Sequence, residues 1–527
     1  MLQRNHDRLQ SPDGLRQGMN EEHKATRREW GALALILLLA LALRLFKADA
    51  SLWYDEIFTV VNFVRLPTLD LVKTFDSLNN HMLYSLLAQI CVGLFGETPT
   101  ALRLPAILFG VGSIAVQWRI ARRVMGGPGA LIVALLLTLS YHHVWFSQNA
   151  RGYTGLLFFT SAATLLFLKG LEKPHWKTWA GYGLAVAAAM YTHMSAGFFF
   201  VAHGVVYAAM AGYGLVKKQS GKRLPGILSG GPIFGIGLSI VVTLALYAPI
   251  ISQAFSTIHE VSQASAAPGG AALAEWRNPV RAVKEIGQSI SSAGPLVPLI
   301  LLGAVLVLAA GIAALYRRAP VLTAIYVVHV PLAMLLLYCV GVRIWPRYFF
   351  VDIGFIFMTL VEGVFAWSSI IAPRFQFQGR PVFDAAWISR LGIVAMVLVS
   401  IGLLVPNYLH PKQDFIGARD FVRAYAKPGD SIAAVGLAGY AYSHYYAPEF
   451  KVIETGAELA KLRQTTKGRT WVILAFPHQT LAARPDVKAE LSRHYNDMDT
   501  FKGTLGDGEV WTVISASGPD QKGTFLL

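Results

Sequence analysis

The sequence predicts a polytopic α-helical membrane protein with a small α/β domain at its C-terminal end. Three observations lead there: 54% of the 527 residues are apolar and only 15% are charged, against roughly 25% in soluble domains; the apolar residues fall into long runs; and the basic residues fall between them. The net charge of +15 would suggest a nucleic-acid partner in a soluble protein, but basic bursts between apolar runs follow the positive-inside rule instead. Cys91 and Cys339 both lie in apolar stretches and read as small buried hydrophobes, with no disulfide or metal-ligand spacing.

Residues 1–29 are polar and basic and read as a cytoplasmic tail. The first apolar run, 30–46, is close to the ~20 residues that a span requires. Further runs lie near 101–118, 129–146, 153–168, 179–196, 198–216, 226–250, 296–315, 320–340, 348–371 and 388–405. Between them stand Arg119/Arg122/Arg123, Lys169/Lys173/Lys177, Lys217/Lys218/Lys222/Arg223, Arg317/Arg318 and Arg374/Arg380. With the N-terminus cytoplasmic, eleven spans place every one of these clusters inside. The apolar stretch 81–95 is short for a span, and letting it cross would move the clusters from Arg119 to Arg318 outside. It is therefore assigned, with the rest of 68–95, to interfacial helices of a first outer loop, 48–100. A transmembrane domain over 30–405 results, with a second long outer loop at 251–295 that turns amphipathic near Pro279–Ile286. Residues 406–527 are less apolar, with β-like runs at 431–436, 470–476 and 510–515 and a helical pattern from Asp414 to before Pro428-Gly429-Asp430. This reads as a soluble extracytoplasmic domain.

The conspicuous polar residues then collect on the outer side. Asp55 and Glu56 sit in Ser51-Leu52-Trp53-Tyr54-Asp55-Glu56-Ile57. Being adjacent, their side chains diverge, so only one is expected to point into a site; a solvated helix start is the plainer alternative. Trp53 and Tyr54 suit either substrate contact or an interfacial aromatic belt. His81 and Tyr84 share a helix face, and His142, His143, Gln148, Asn149, Arg151 and Tyr153 crowd the second outer loop. Arg44 lies inside an apolar run, where it either snorkels to the interface or meets an anion. Arg343 and Arg347, beside Tyr348, put positive charge on an outer loop against the positive-inside bias. Arginine in that position suits phosphate, being permanently charged and bidentate. Together these residues suit transfer from a lipid-linked phosphosugar: Arg44, Arg151, Arg343 and Arg347 stabilise the leaving phosphate, and Asp55 takes the acceptor's proton. A divalent cation (Mg or Mn) near Asp55 could replace some of the arginines, though the sequence requires none.

At this point the chain resembles the multispanning GT-C-type glycosyltransferases related to protein O-mannosyltransferases and aminoarabinose transferases. The matching stretches are Leu52-Trp53-Tyr54-Asp55-Glu56, His81-Met82-Leu83-Tyr84, Arg103-Leu104-Pro105 with Gly110, Ser147–Tyr153, and Arg347-Tyr348-Phe349. The resemblance implies a polyprenyl-phosphate-sugar donor, a lipid, glycan or protein acceptor, and a bacterial plasma-membrane location. It implies Asp55 as base or metal-associated carboxylate, with Glu56 beside it. Arg44, Arg151, Arg343, Arg347 and Tyr348 are the expected phosphate ligands, and Trp53, Tyr54, His81, Tyr84, Gln148 and Tyr153 the expected substrate contacts. Two departures matter: Asn149 stands where the family often has Glu, which puts a two-carboxylate metal site in doubt, and Met82 replaces a usual Pro. Lumenal repeat modules of the protein-mannosylating subgroup are absent, so a protein acceptor is not favoured over others. The other class considered is a transporter or flippase of a lipid-linked saccharide, which inverted repeats and broken midplane helices would favour; neither is visible.

Overall fold

The computed structural model describes residues 25–217, 226–264, 297–341, 344–374, 376–377, 380–381, 384–505 and 508–516. Eight described helices are long and apolar enough to cross a membrane, which makes this a multi-pass membrane protein. One of them, Pro99–Leu139, contains a break at Gly126, whose φ of 76° lies in the left-handed region that glycine adopts without a Cβ clash. Trp30 packs on Trp118 at 5.0 Å while Arg103 bonds the carbonyls of Ala48, Ala50 and Ser51. The first half of this element therefore runs antiparallel to the Arg27–Leu45 helix. Its second half returns, with Leu137 and Thr138 beside Arg44. Counting the Gly126 hairpin as two, and adding Arg27–Leu45 and Trp176–Thr192, gives eleven helical segments in the described bundle, the number expected from the apolar runs.

Charges sort the two ends of the bundle. One end carries Glu29–Arg122 at 3.1 Å, Arg123–Glu172 and Arg318–Glu362 at 2.6 Å. The other carries Asp55, Arg151 and Arg347. The Met82–Phe95 helix belongs to this second end. At 14 residues it spans about 21 Å, short of a ~30 Å hydrocarbon core. It buries Met82, Tyr84, Ser85 and Ala88 and exposes Ile90, Leu94 and Phe95, as an interfacial helix does. The Ile251–Ala264 helix continues the Gly231–Tyr247 helix through a short 3₁₀ turn. The amphipathic stretch 279–286 lies outside the described residues, as does the N-terminal tail to residue 24.

Beyond a two-residue hairpin, β1 (Gln376–Phe377) and β2 (Arg380–Pro381), the last long helix runs Ala385–Leu409, past the expected domain start at 406. A five-stranded sheet follows: β3 (Ser431–Val435), β4 (Lys451–Ile453), β5 (Thr470–Ala475), β6 (Tyr495–Phe501) and β7 (Val510–Ser515), in the order β4-β3-β5-β7-β6. β3 is parallel to β4 and β5, and β7 is antiparallel to β5 and β6. Central β5 is buried at all six positions, hence its unbroken apolar reading. β4 and β6 escaped the sequence reading because both are mostly exposed edge strands. One face of the sheet packs on helices of its own domain through Leu459, Leu481, Val487 and Leu491. On the other side, Phe415, Tyr442, Phe450 and Trp471 form one apolar cluster with Leu52, Ile57, Val60, Tyr84 and Leu102. The C-terminal sheet domain is thus seated on the segment 48–100.

Candidate functional site

The segment Ser51–Glu56 is held from both sides before any ligand is considered. Tyr446 Oη accepts from Leu52 N–H at 2.7 Å and donates to Leu52 C=O at 3.0 Å; Gln413 Oε1 accepts from Tyr54 N–H at 3.0 Å. Below it, Glu56 is fully buried and takes two bonds from Arg103, at 2.8 and 2.6 Å, one from Ala150 N–H at 2.6 Å and one from Trp53 N–H at 3.2 Å. Burial raises its pKa, but Arg103, Lys412 and the Ala150 amide outweigh that and hold it below the ordinary value. Glu56 is therefore an ion-paired anchor turned away from the site, and the expected catalytic role does not fit its surroundings. The helix Tyr54–Thr59 that places Glu56 inward turns Asp55 outward by one residue's rotation.

Asp55 sits at the centre of a cationic cluster. Arg151 Nη1 is 2.6 Å from Asp55 Oδ2 and Arg347 Nη1 is 3.9 Å from the same oxygen. The Nε atoms of Arg151 and Arg347 are buried and find no hydrogen-bond partner among the described residues. Arg347 lies over the Trp345 ring at 4.4 Å, in the 3₁₀ turn Pro346–Asp352, whose end is fixed by a His329–Asp352 contact of 2.9 Å. His81 accepts from Gly152 N–H at Nδ1, 2.6 Å, and its Nε2 is 3.1 Å from Arg151 Nη2. A Cβ on Gly152 would stand 2.8 Å from His81 Nδ1 and 2.9 Å from the Thr192 carbonyl, so glycine is required for this approach. Tyr153 closes the wall, 5.6 Å beneath the Arg151 guanidinium and 5.3 Å from His81. His193, between the Trp176–Thr192 and Ala196–Lys217 helices, packs 4.5 Å from His81 and 6.1 Å from Tyr348. Burial, then the neighbouring guanidiniums of Arg151 and Arg347, lowers His193 to about 3. Burial and Arg151 likewise push His81 well below its ordinary value. Both imidazoles are therefore neutral beside the two guanidiniums.

Other expected site residues lie elsewhere. Arg44 is fully buried and spends its donors on Ala40, Leu137 and Thr138 carbonyls, Ser147 Oγ and His143 Nδ1. It neither snorkels nor meets phosphate: it satisfies the orphan carbonyls where the Pro99–Leu139 helix ends, at the negative pole of that helix. Gln148 bonds the Arg44 and Phe46 carbonyls at 3.1 and 2.7 Å, tying the second loop to the first span. Trp53 Nε1 donates to Asn149 Oδ1 at 3.0 Å, and Tyr84 Oη donates to the Leu102 carbonyl, both buried. Tyr54 faces Tyr440 of the soluble domain at 5.8 Å. Arg343 lies outside the described residues. The sequence reading missed His193, although it stood in an expected outer turn, and the structural role of Arg103, a second charge inside an apolar run.

Among the described residues no three His, Cys, Asp or Glu side chains converge on one point. Asp55 already faces two guanidiniums, Glu56 is consumed by Arg103, and Asn149 Oδ1 accepts from Trp53. This donor set does not fit a resident divalent cation.

A multispanning bundle with a carboxylate clasped by arginines at one surface is the arrangement that the motif resemblance implied for a membrane glycosyltransferase. In sequence, residues 80–234 match the family model of dolichyl-phosphate-mannose-protein mannosyltransferases. No curated protein matches the chain in sequence. Among solved structures, the chain is similar to a crystal structure of ArnT from Cupriavidus metallidurans bound to undecaprenyl phosphate, at 13% identity and TM-score 0.46, covering 94% of this chain and 100% of that one. The oligosaccharyltransferase AglB from Archaeoglobus fulgidus, in complex with an inhibitory peptide and a dolichol-phosphate, is 11% identical with TM-score 0.48, over 89% of this chain and 73% of that one. The Pmt1–Pmt2 complex of S. cerevisiae bound to its sugar donor is 16% identical with TM-score 0.37, over 46% and 36%.

Proposed function

We propose that the protein is a membrane glycosyltransferase that moves a sugar from a polyprenyl-phosphate donor to a lipid, glycan or protein acceptor at the extracytoplasmic face of a bacterial plasma membrane. The observation that carries this reading is Asp55 held by Arg151 and within reach of Arg347, each guanidinium with a buried Nε awaiting an acceptor. The family match over 80–234 supports it. In this reading the N-terminus is cytoplasmic and the soluble domain extracytoplasmic, which puts the ion pairs of Arg122, Arg123 and Arg318 on the cytoplasmic side.

The donor phosphate enters against Arg347 and Arg151, and competition for Arg151 frees the Asp55 carboxylate. Asp55 accepts the proton of the acceptor hydroxyl as its oxygen attacks the anomeric carbon. The bond from that carbon to the phosphate oxygen breaks, and its electron pair leaves on the polyprenyl phosphate, stabilised by the two arginines. Neutral His81 and His193 add no competing charge beside Arg151 and Arg347. The test is transfer of radiolabelled sugar from a panel of polyprenyl-phosphate sugars in membranes carrying wild type or Asp55→Asn. Label appearing in extractable lipid, polymer or protein only with wild type is the expected result, and it also assigns the acceptor class. Equal transfer by Asp55→Asn would remove Asp55 from the reaction.

A further inference from the structure

A second polar centre lies behind the Glu56–Arg103 pair, where the first span, the last span and the soluble domain meet. A cavity of about 270 Å³ is lined there by Lys47, Arg103, His410, Lys412 and Tyr408, among others. Asp414 is the one carboxylate of its lining, and it is occupied in capping Gly417 N–H at 2.9 Å. Arg103 is saturated by Glu56 and three carbonyls, whereas Lys412, buried in the wall, is bonded to the Gln148 carbonyl. An ammonium has three donors, so two remain for a ligand. Burial and the Arg103 charge lower Lys412 to about 7, a cost that an anion beside it would offset. Lys47 reaches Tyr408 C=O at 2.7 Å with φ of 56°, one of two non-glycine residues in the left-handed region among those described. Such backbone strain is characteristic of ligand clamps.

The rim of this cavity is apolar. Leu409, which lines it, is 66% exposed; Phe46, beside Lys47, is 56% exposed and packs edge-on against Tyr408 at 5.2 Å. A basic hollow at the ends of two spans, with exposed aliphatic and aromatic side chains leading to it, matches an amphiphile with an anionic head.

We propose that this cavity is a second anion site, independent of the transfer reaction, that takes the phosphate of a membrane lipid between the first and last spans. Lys47 and Lys412 donate to the phosphate oxygens, and the acyl chains lie along Phe46 and Leu409. The phosphate would then brace the junction on which the soluble domain is hung.

The experiment is the thermal transition of the full chain in phosphatidylcholine nanodiscs, with phosphatidic acid titrated into the bilayer or inorganic phosphate added to the buffer. Saturable stabilisation by phosphatidic acid is expected, with apparent affinity about tenfold weaker in Lys47→Ala, the loss of one charged hydrogen bond, and unchanged in Arg347→Ala. Lys412→Met should act in the same direction; should it fail to fold, exposed Lys47 still decides the matter. The same variant pattern with inorganic phosphate would keep the site and make a free ion its ligand. Absence of any saturable shift overturns the proposal. So does a shift that survives Lys47→Ala but vanishes in Arg347→Ala, which would put the phosphate at Asp55.

Discussion

Asp55 and Glu56 are joined by one peptide bond but stand in opposite situations. Glu56 lies in the interior with Arg103, both side chains at most 2% exposed, whereas that of Asp55 is 20% exposed between two arginines. Removing one member of a buried pair leaves an uncompensated charge, at about 3–5 kcal/mol. Glu56→Gln is therefore expected to lower the thermal transition sharply, while Asp55→Asn, whose own carboxylate is partly exposed though its partner Arg151 is buried, lowers it less and abolishes transfer. If both variants melt alike, the division between anchor and base is wrong. Arg347→Ala is expected to weaken apparent donor affinity more than it lowers turnover at saturation, and an unchanged donor KM would count against phosphate contact. Lys412 gives a pH signature. Its pKa is depressed to about 7 by burial and Arg103, with Glu56 opposing and the Trp145 ring 5.2 Å away. The unfolded chain then binds the extra proton above pH 7, so this residue's contribution to stability rises as pH increases from about 7 toward the ordinary lysine value. Melting in neutral bilayers at pH 6.5 and 8.5 should show the increment in wild type and lose it in Lys412→Met.

At the scale of elements, the site is built from turns. Asp55 opens a six-residue helix, Arg151 lies in the turn before the Tyr153–Glu172 helix, His193 caps another helix end, and Arg347 rides on a 3₁₀ turn. Three of these turns are held by side chains from other elements: the first by Tyr446 and Gln413, the second by His81 on Gly152 N–H, the last by His329 on Asp352. Tyr446→Phe deletes both bonds to Leu52, worth about 1–2 kcal/mol together. It should lower turnover without disturbing donor affinity, because it loosens Asp55 but leaves Arg347 in place. Gly152→Ala, which drives a methyl into His81 and the Thr192 carbonyl, is expected to cost activity even where the protein still folds. Activity equal to wild type in folded Gly152→Ala would show that the His81–Arg151 arrangement is dispensable.

For the whole molecule, sidedness can be checked with single cysteines in a Cys91→Ser, Cys339→Ser background. Asp49→Cys should react with an impermeant maleimide from outside, and Lys173→Cys only after permeabilisation; the reverse pattern would invert the topology. Much of this architecture was legible in the sequence, because apolar length and basic bursts register where a chain meets lipid and where it stops. The interfacial assignment of 81–95 followed from the same charges. The central strands were legible from unbroken apolar runs. Edge strands β4 and β6 were not, since exposure erases the apolar signal. Nor could the sequence separate the roles of buried charges. Arg44, Arg103 and Arg151 all read as cations near an outer surface, and only tertiary contacts tell a helix-end ligand from a carboxylate anchor from a site residue. The divergence of adjacent side chains predicted only that one of Asp55 and Glu56 enters a site, the resemblance favoured Asp55, and which of them turns inward to Arg103 was a matter for packing.

The seating of the soluble domain on the first outer loop also sets an order in time. Ser51–Tyr54 is among the first folded parts of the chain to be made, yet the Gln413 and Tyr446 that shape it are synthesised after the last span. A released chain ending at Leu409 would carry every described span but leave its Asp55 loop unshaped. Such a truncated chain is expected to insert normally, to be nicked by protease near Ser51, and to transfer nothing. Catalysis would therefore be withheld until synthesis is nearly finished, a safeguard against half-made enzyme consuming donor lipid.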